Sequence, residues 1–342
     1  MSLAHSILLS SAAMLMSISG TYLMLRISLR FNILDKPNPL IPQRTHAVPH
    51  LGGVGIFVSV ALMLLILYTS RLYQATGNTF AAILPARIVL PSFLALWFGI
   101  ADDIWNFAPL GKFSLQLVTA TCAVSLGLIY SLTGYVFIDA VLSGFWILVL
   151  MNAFNLTDVC DGLVAGIGVT TFAAFSAYYP ANRTLTLVLL GSMVGFLIFN
   201  APPASIFLGE TGSSFLGFII AAITLSGSQG KNTWPYVPIM LLFTAVPLFE
   251  LLFLVGVRIM KRLPWWKGSS DHFSLRLQAH GMSKRKVLAT AWSASLTACV
   301  IALVIERVAL VWQFLLIFIV IISSIWISFH LLRWEVNSVH TK

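Results

Sequence analysis

Three short stretches hold carboxylates and amides at spacings that suit phosphate chemistry. "FGIADDIWNF" sets Asp102 and Asp103 side by side. Adjacent like charges repel, so the pair is either a solvated helix end or two groups with different work. In the working case one binds Mg²⁺ or orients a basic residue, and the other accepts a proton. "MNAFNLTDVCDGL" repeats Asn152, Asn155, Asp158 and Asp161 every third residue. On a helix that spacing spreads polar groups across one broad face. Amides mixed with carboxylates suit nucleobase or sugar recognition and oxygen-only metal binding. Asp161–Gly162 also serves as the start of a following helix, which accounts for one of the four. "IFNAPPASIFLGETGSSFLGF" carries Asn200, the Pro202–Pro203 break and Glu210. Its small residues let the backbone approach a ligand, and free N–H groups at a helix start attract anions such as phosphate. Glu210 is also well placed against the helix dipole, which by itself is a sufficient local account of it.

Two more segments add cations. The first holds Lys36, Arg44 and His46 among Pro37, Pro39, Pro42 and Pro49, which makes it extended and turn-rich. The other, 258–286, is basic and carries Trp265, Trp266 and His272. As a juxtamembrane basic–aromatic segment it binds anionic lipid heads; as a lid it offers cations to a polyanionic substrate.

These residues need elements to position them, and composition says what kind. Of 342 residues, 58% are hydrophobic and 9% charged, against roughly 25% charged in a soluble domain. The chain is an integral membrane protein. Apolar runs this long and unalternating suit helices, not barrel strands. At about 20 residues per crossing, the expectation is an all-α, polytopic fold of about eleven transmembrane helices in a single domain, 1–342. The spans fall near 4–28, 51–69, 84–101, 113–130, 134–152, 162–179, 184–200, 212–226, 236–257, 287–305 and 308–332. "MSLAHSILLS" has no basic start and no clear cleavage site, so it is expected to remain as the first span. Cys122, Cys160 and Cys299 form no spaced framework, which argues against disulfides and zinc.

With eleven spans, the loops 29–50, 102–112, 153–161, 201–211 and 258–286 share one side. Fifteen of the 20 Lys and Arg residues lie there or at the helix ends facing it. Basic loops mark the cytoplasm, which puts the N-terminus outside and the C-terminus inside. The formal charge of +9 is thus a topology signal and does not require a nucleic-acid partner. Eight of the 11 acids fall on the same side, although Asp and Glu contribute little to the bias. A carboxylate near mid-bilayer costs roughly 2.5–3.5 kcal/mol, less at a span end. A divalent cation would offset that cost and the mutual repulsion.

The motifs "DKPN…R-x-H…P-x-LGG", "ADD", "NAFNLTDxxDGL" and "P-A-x-IFLGxTGSxxLG" follow one another from Leu34 to about Ser283. In that order the chain resembles the polyprenyl-phosphate N-acetylhexosamine-1-phosphate transferases, of glycosyltransferase family 4 type, in their GlcNAc-1-phosphate branch. The resemblance implies a multi-pass enzyme of the cytoplasmic (inner) membrane with its active face cytoplasmic. It implies transfer of a sugar 1-phosphate from a UDP-sugar to polyprenyl phosphate, with release of UMP and the start of a lipid-linked envelope glycan. It implies Mg²⁺, with Mn²⁺ as an alternative, and allows a homodimer. It assigns Asp102 to deprotonating the lipid phosphate and Asp103 to a partner role near metal and lysine. It places Asp158 and Asp161 in the uridine and metal region beside Asn155, and Glu210 where the family holds Mg²⁺. Lys36, Arg44, His46, Asn200, His272 and Arg276 complete the substrate-binding set.

Three departures stand out. "GDxGS" is "GETGS" here, so the metal position carries one extra methylene. "DGxDG" is "DVCDG", which stiffens a turn. The family's H-x-H-H is reduced to His272, with Ser274 and Leu275 in the other places; Arg276 and His280 are the expected substitutes. These departures keep an impaired relative, acting as scaffold or regulator, as the alternative. A secondary transporter fits less well, because Asp139 and Glu250 are the few acids inside spans and the polar residues gather on one face, not at the midplane.

Overall fold

Long apolar runs with few breakers give helices wherever they occur. The computed structural model describes residues 3–35, 46–74, 86–227, 233–264 and 268–334. It is about 81% helical with no sheet core. The chain order is α1 (Leu3–Arg30), β1 (Leu34–Asp35), β2 (Val48–Pro49), α2 (Gly52–Gln74), α3 (Ala86–Trp105) and α4 (Pro109–Ser125). Then come α5 (Val136–Thr157), α6 (Leu163–Tyr178), α7 (Arg183–Asn200), α8 (Gly209–Ser226), α9 (Thr233–Phe243) and α10 (Ala245–Met260). Last are α11 (Phe273–Ala279), α12 (Lys284–Val304) and α13 (Leu310–Leu332).

Each expected span falls on a helix, except that 236–257 falls on two. Seven helices among the described residues are long and apolar enough to cross a membrane, and eight if the bent pair counts as one. Gly52–Leu67 and Leu163–Tyr178 are apolar but shorter. The chain is therefore a multi-pass membrane protein.

The helix α8 is the hub. It packs on α2, α3 and α5, and every residue from Thr211 to Leu225 is buried. A helix that is apolar all round is either covered by protein or set in lipid, and α8 is covered by protein. At the periphery, α13 is 6% buried across its apolar window, as a lipid-facing helix should be. Close packing at the hub depends on glycine. A Cβ at Gly53 would lie 2.2 Å from the Gly212 backbone nitrogen, so α2 and α8 touch backbone to backbone.

The α9–α10 junction bends by 78°. Pro247 has no N–H to give the Phe243 carbonyl one turn back, which breaks the ladder there. The Thr171 hydroxyl donates to that carbonyl instead, at 3.4 Å. Thr244 leaves helical geometry at φ −118°, ψ 18°. An apolar run of unbroken composition thus becomes two helices.

The only regular strands among the described residues form one two-residue ladder. Leu34 pairs with Pro49 and Asp35 with Val48, antiparallel. The loop before α8 continues it: Phe207 N donates to Pro49 O at 2.7 Å, and Gly52 N donates to Phe207 O at 3.0 Å. This backbone stitch fixes the start of α8 against the start of α2.

Candidate active site

At the start of α8 the first N–H groups have no partner within the helix. Leu208 at its N-cap supplies no side-chain acceptor. Asp103, at the end of α3, does. Its carboxylate accepts from Glu210 N at 2.9 Å, Thr211 N at 3.1 Å and Thr211 Oγ1 at 2.6 Å. The positive end of the helix dipole also favours electron-rich oxygens at this N-terminus. The expected free N–H groups for substrate phosphate are therefore corrected: a carboxylate of this chain already fills that anion place. Gly209 makes it possible. Its φ is +77°, and a Cβ there would lie 2.2 Å from His50 O and 2.8 Å from Asp103 Oδ2.

Asp102 turns the other way and is 7% exposed at its side chain. Its Oδ1 accepts from Phe107 N at 2.8 Å, and its Oδ2 lies 2.7 Å from Lys112 Nζ. Lys112, in the first turn of α4, also reaches Glu210 Oε1 at 3.0 Å. The second Glu210 oxygen accepts from Asn155 Nδ2 on α5. Asn155 Nδ2 is also 3.2 Å from Ser213 Oγ. Four helices thus bring Asp102, Lys112, Asn155 and Glu210 into one network. Burial would lower the Lys112 ammonium, but Glu210 and Asp102 outweigh it and hold it above its ordinary range. A cavity of about 20 Å³ beside the network is lined by Gly99, Asp102, Lys112, Gln116, Glu210 and Ser214. That is room for one water-sized particle.

The resemblance put the lysine with Asp103; the structure puts it with Asp102. Sequence reasoning counted Lys112 only as a topology charge. The signal was available, since it is the one Lys or Arg in the loop 102–112.

Asp158 and Asp161 follow α5. Asp158 is half-buried at the α5 C-cap, one turn past Asn155. Asp161 pairs with Lys284 at 3.1 Å, at the start of α12. Asn200 is 4% exposed. Its Oδ1 accepts from Gly162 N at 3.0 Å and its Nδ2 donates to Ile206 O at 2.9 Å. It braces the turn before α6 against the loop before α8. Among the described residues no three His, Cys, Asp or Glu side chains converge as a metal cage. His46 is exposed just before β2. Lys36 and Arg44 lie outside the described residues.

The loop before α12 is anchored by buried charge. His272 Nδ1 lies 2.6 Å from Glu250 Oε1, and Glu250 Oε2 accepts from Phe273 N at 3.2 Å. Arg276, expected to face substrate, is 1% exposed. Its guanidinium donates to Asp271 Oδ1 at 2.6 Å, Leu331 O at 2.8 Å and Trp334 O at 3.1 Å. It ties α11 to the end of α13 instead. His280, the other expected substitute, stacks on Trp334 at 3.9 Å. Burial alone would raise the Asp271 carboxyl, but Lys261 and Arg276 hold it below the usual carboxylate range. Asp139 is likewise occupied, accepting from Leu132 N, Thr133 N and Gly134 N at the turn before α5.

Comparison with known proteins adds chemistry to this geometry. The profile of glycosyl transferase family 4 matches residues 85–228. The chain is 31% identical over 313 residues to the probable undecaprenyl-phosphate N-acetylglucosaminyl 1-phosphate transferase of Bacillus subtilis, covering 87% of this chain and 84% of that one. It is 30% identical over 297 residues to a phospho-N-acetylmuramoyl-pentapeptide-transferase of Listeria monocytogenes, covering 77% and 86%. It is 28% identical over 277 residues to the decaprenyl-phosphate N-acetylglucosaminephosphotransferase of Mycobacterium leprae, covering 70% and 69%.

Proposed function

Because the chain belongs to glycosyl transferase family 4, we propose that it transfers a sugar 1-phosphate, N-acetylhexosamine 1-phosphate in the first instance, from a UDP-sugar to polyprenyl phosphate. The observation that carries this is the network of Asp102, Lys112, Asn155 and Glu210 at the start of α8. An oxygen of the lipid phosphate attacks the β-phosphorus of the donor. A phosphorus–oxygen bond forms there as the bond to the bridging oxygen breaks, and UMP leaves with that oxygen. The polyprenyl-diphospho-sugar stays in the membrane as the start of an envelope glycan.

Asp102 is the proton acceptor for the lipid phosphate, because it lines the cavity and its Oδ2 meets the long Lys112 side chain there. Lys112 supplies positive charge to the phosphates, and Asn155 and Glu210 orient the donor. Asp103 holds the start of α8 in place, so the acids arrive at fixed separation. His272, fixed by Glu250, stands in the loop that covers the nucleotide end.

Mg²⁺ belongs to this proposal, with Mn²⁺ as its substitute. Asp102 and Glu210 already hold one cation between them, through one oxygen each. That donor set fits Mg²⁺, which commonly takes one or two carboxylates and fills its shell with substrate phosphates and water. Glu210 and Asp158, the acids assigned to the metal from the sequence, would hold it together with Asp102, whose Oδ2 shares the Lys112 ammonium with Glu210. When bound it would neutralise the diphosphate oxygens.

We further infer eleven crossings, the site on the cytoplasmic face of the inner membrane and a homodimer. The distribution of Lys and Arg supports the orientation.

The test is UMP release from membranes given polyprenyl phosphate, Mg²⁺ and a panel of UDP-sugars. The expected result is release with at least one N-acetylhexosamine donor. Asp102→Asn should lower it by about 10²–10⁴-fold. No release with any donor would leave the scaffold alternative standing.

A further inference from the structure

Each acid in the network has one oxygen committed to a scaffold donor and one committed to Lys112. Asp102 gives Oδ1 to the Phe107 backbone and Oδ2 to the lysine. Glu210 gives one oxygen to Asn155 and Oε1 to the lysine. The two inward oxygens thus share a single cation, next to a cavity of about 20 Å³. Both inward oxygens are engaged by that one ammonium. The scaffold donors are a backbone N–H and a short amide, whereas the lysine hangs on four methylenes and is 33% exposed.

We propose that Lys112 is a resident counter-cation. In the substrate-free protein its ammonium fills the position between Asp102 and Glu210 that a divalent cation takes in the working site, and it must swing out before the metal enters. The proposal rests on the transferase reading for the identity of the metal, but not for its own test. An ammonium and a divalent ion within a few ångströms repel strongly, and both need the same two oxygens. Swinging out, the ammonium moves to the exposed rim of the cavity, where incoming phosphate oxygens would receive it. The resting site is thereby neutralised without metal, and metal entry is coupled to the arrival of a polyanion. The extra methylene of Glu210 fits this arrangement. It lets one carboxylate span Asn155 on α5 and Lys112 on α4 at once.

The test is a titration of the full-length, substrate-free protein in detergent with Mn²⁺, reading free Mn²⁺ by electron paramagnetic resonance. Lys112→Gln and Lys112→Met remove the cation and should bind Mn²⁺ at least tenfold more tightly than wild type. Lys112→Arg keeps a cation and should bind as wild type does. Two neutral variants guard against one failing to fold, and each should show a larger Mn²⁺-dependent rise in thermal midpoint than wild type. Equal or weaker Mn²⁺ binding in the neutral variants overturns the proposal. UMP release by wild type is a separate reading: active wild type with unchanged Mn²⁺ affinity in the variants sinks the lysine proposal alone.

Discussion

Asp102 and Asp103 are neighbours in sequence and part company in space. A helix turns about 100° per residue, so consecutive side chains leave in different directions. Asp103 meets the bare N–H groups of α8 and accepts three hydrogen bonds there, with both oxygens engaged. Asp102 meets Lys112 and the cavity. Replacing each should therefore do different damage. Asp103→Ala leaves buried donors without an acceptor, a loss on the order of 3 kcal/mol, and should lower the thermal midpoint in detergent along with activity. Asp102→Asn keeps an acceptor for Phe107 N and should lower activity with the midpoint nearly unchanged. Equal midpoint losses in the two variants would refute the division of labour. The "ADD" motif announces two acids with separate jobs, but which acid takes which job depends on where α8 begins.

At the scale of elements, α11 is a seven-residue helix held by groups far outside it. A helix so short is marginal in water. Its order comes from Glu250 on α10, Asp271 before it and the C-terminal carbonyls of α13. Arg276→Gln removes the tie to α13 and should speed amide hydrogen exchange across 268–280, without exposing α8. The pH dependence has a definite sign. The Asp271 carboxyl is held below its unfolded value, so its stabilising effect is present at neutral pH. It is lost as pH falls through the lowered value, below the ordinary aspartate range of about 3.9. Exchange across α11 should thus be insensitive to pH between neutral and mildly acidic conditions, once corrected for the intrinsic rate. A rise already near pH 6 would rule out Asp271 as the controlling group. The basic composition of 258–286 shows charge, but it does not reveal that the buried arginine is a strut.

The whole molecule arranges these parts on the two sides of a membrane. If the basic side is cytoplasmic, a lone cysteine at Ser269 should react with a membrane-impermeant thiol reagent only in inside-out vesicles. One at Ala309, exposed before α13, should react in right-side-out vesicles. Both need a background without Cys122, Cys160 and Cys299. Labelling of both from one side would overturn the crossing order of the last two spans. Hydropathy is a local sum over about 20 residues, so membrane insertion, helical class and the position of each apolar run were fixed by the chain order alone. The motifs fixed which residue types would gather, because the same few carboxylates, amides and cations recur in loops predicted to share a side. What only the tertiary structure decided are contacts between residues about a hundred positions apart, such as Asp103 with Thr211 and Lys112 with Glu210. It also decided the burial of Arg276 and the bend between α9 and α10. Those depend on how closely backbones approach at Gly53 and Gly209 and on which donors are left bare at helix ends. No local pattern in the sequence carries that information, since an unsatisfied N–H or a missing Cβ matters only once another helix is beside it.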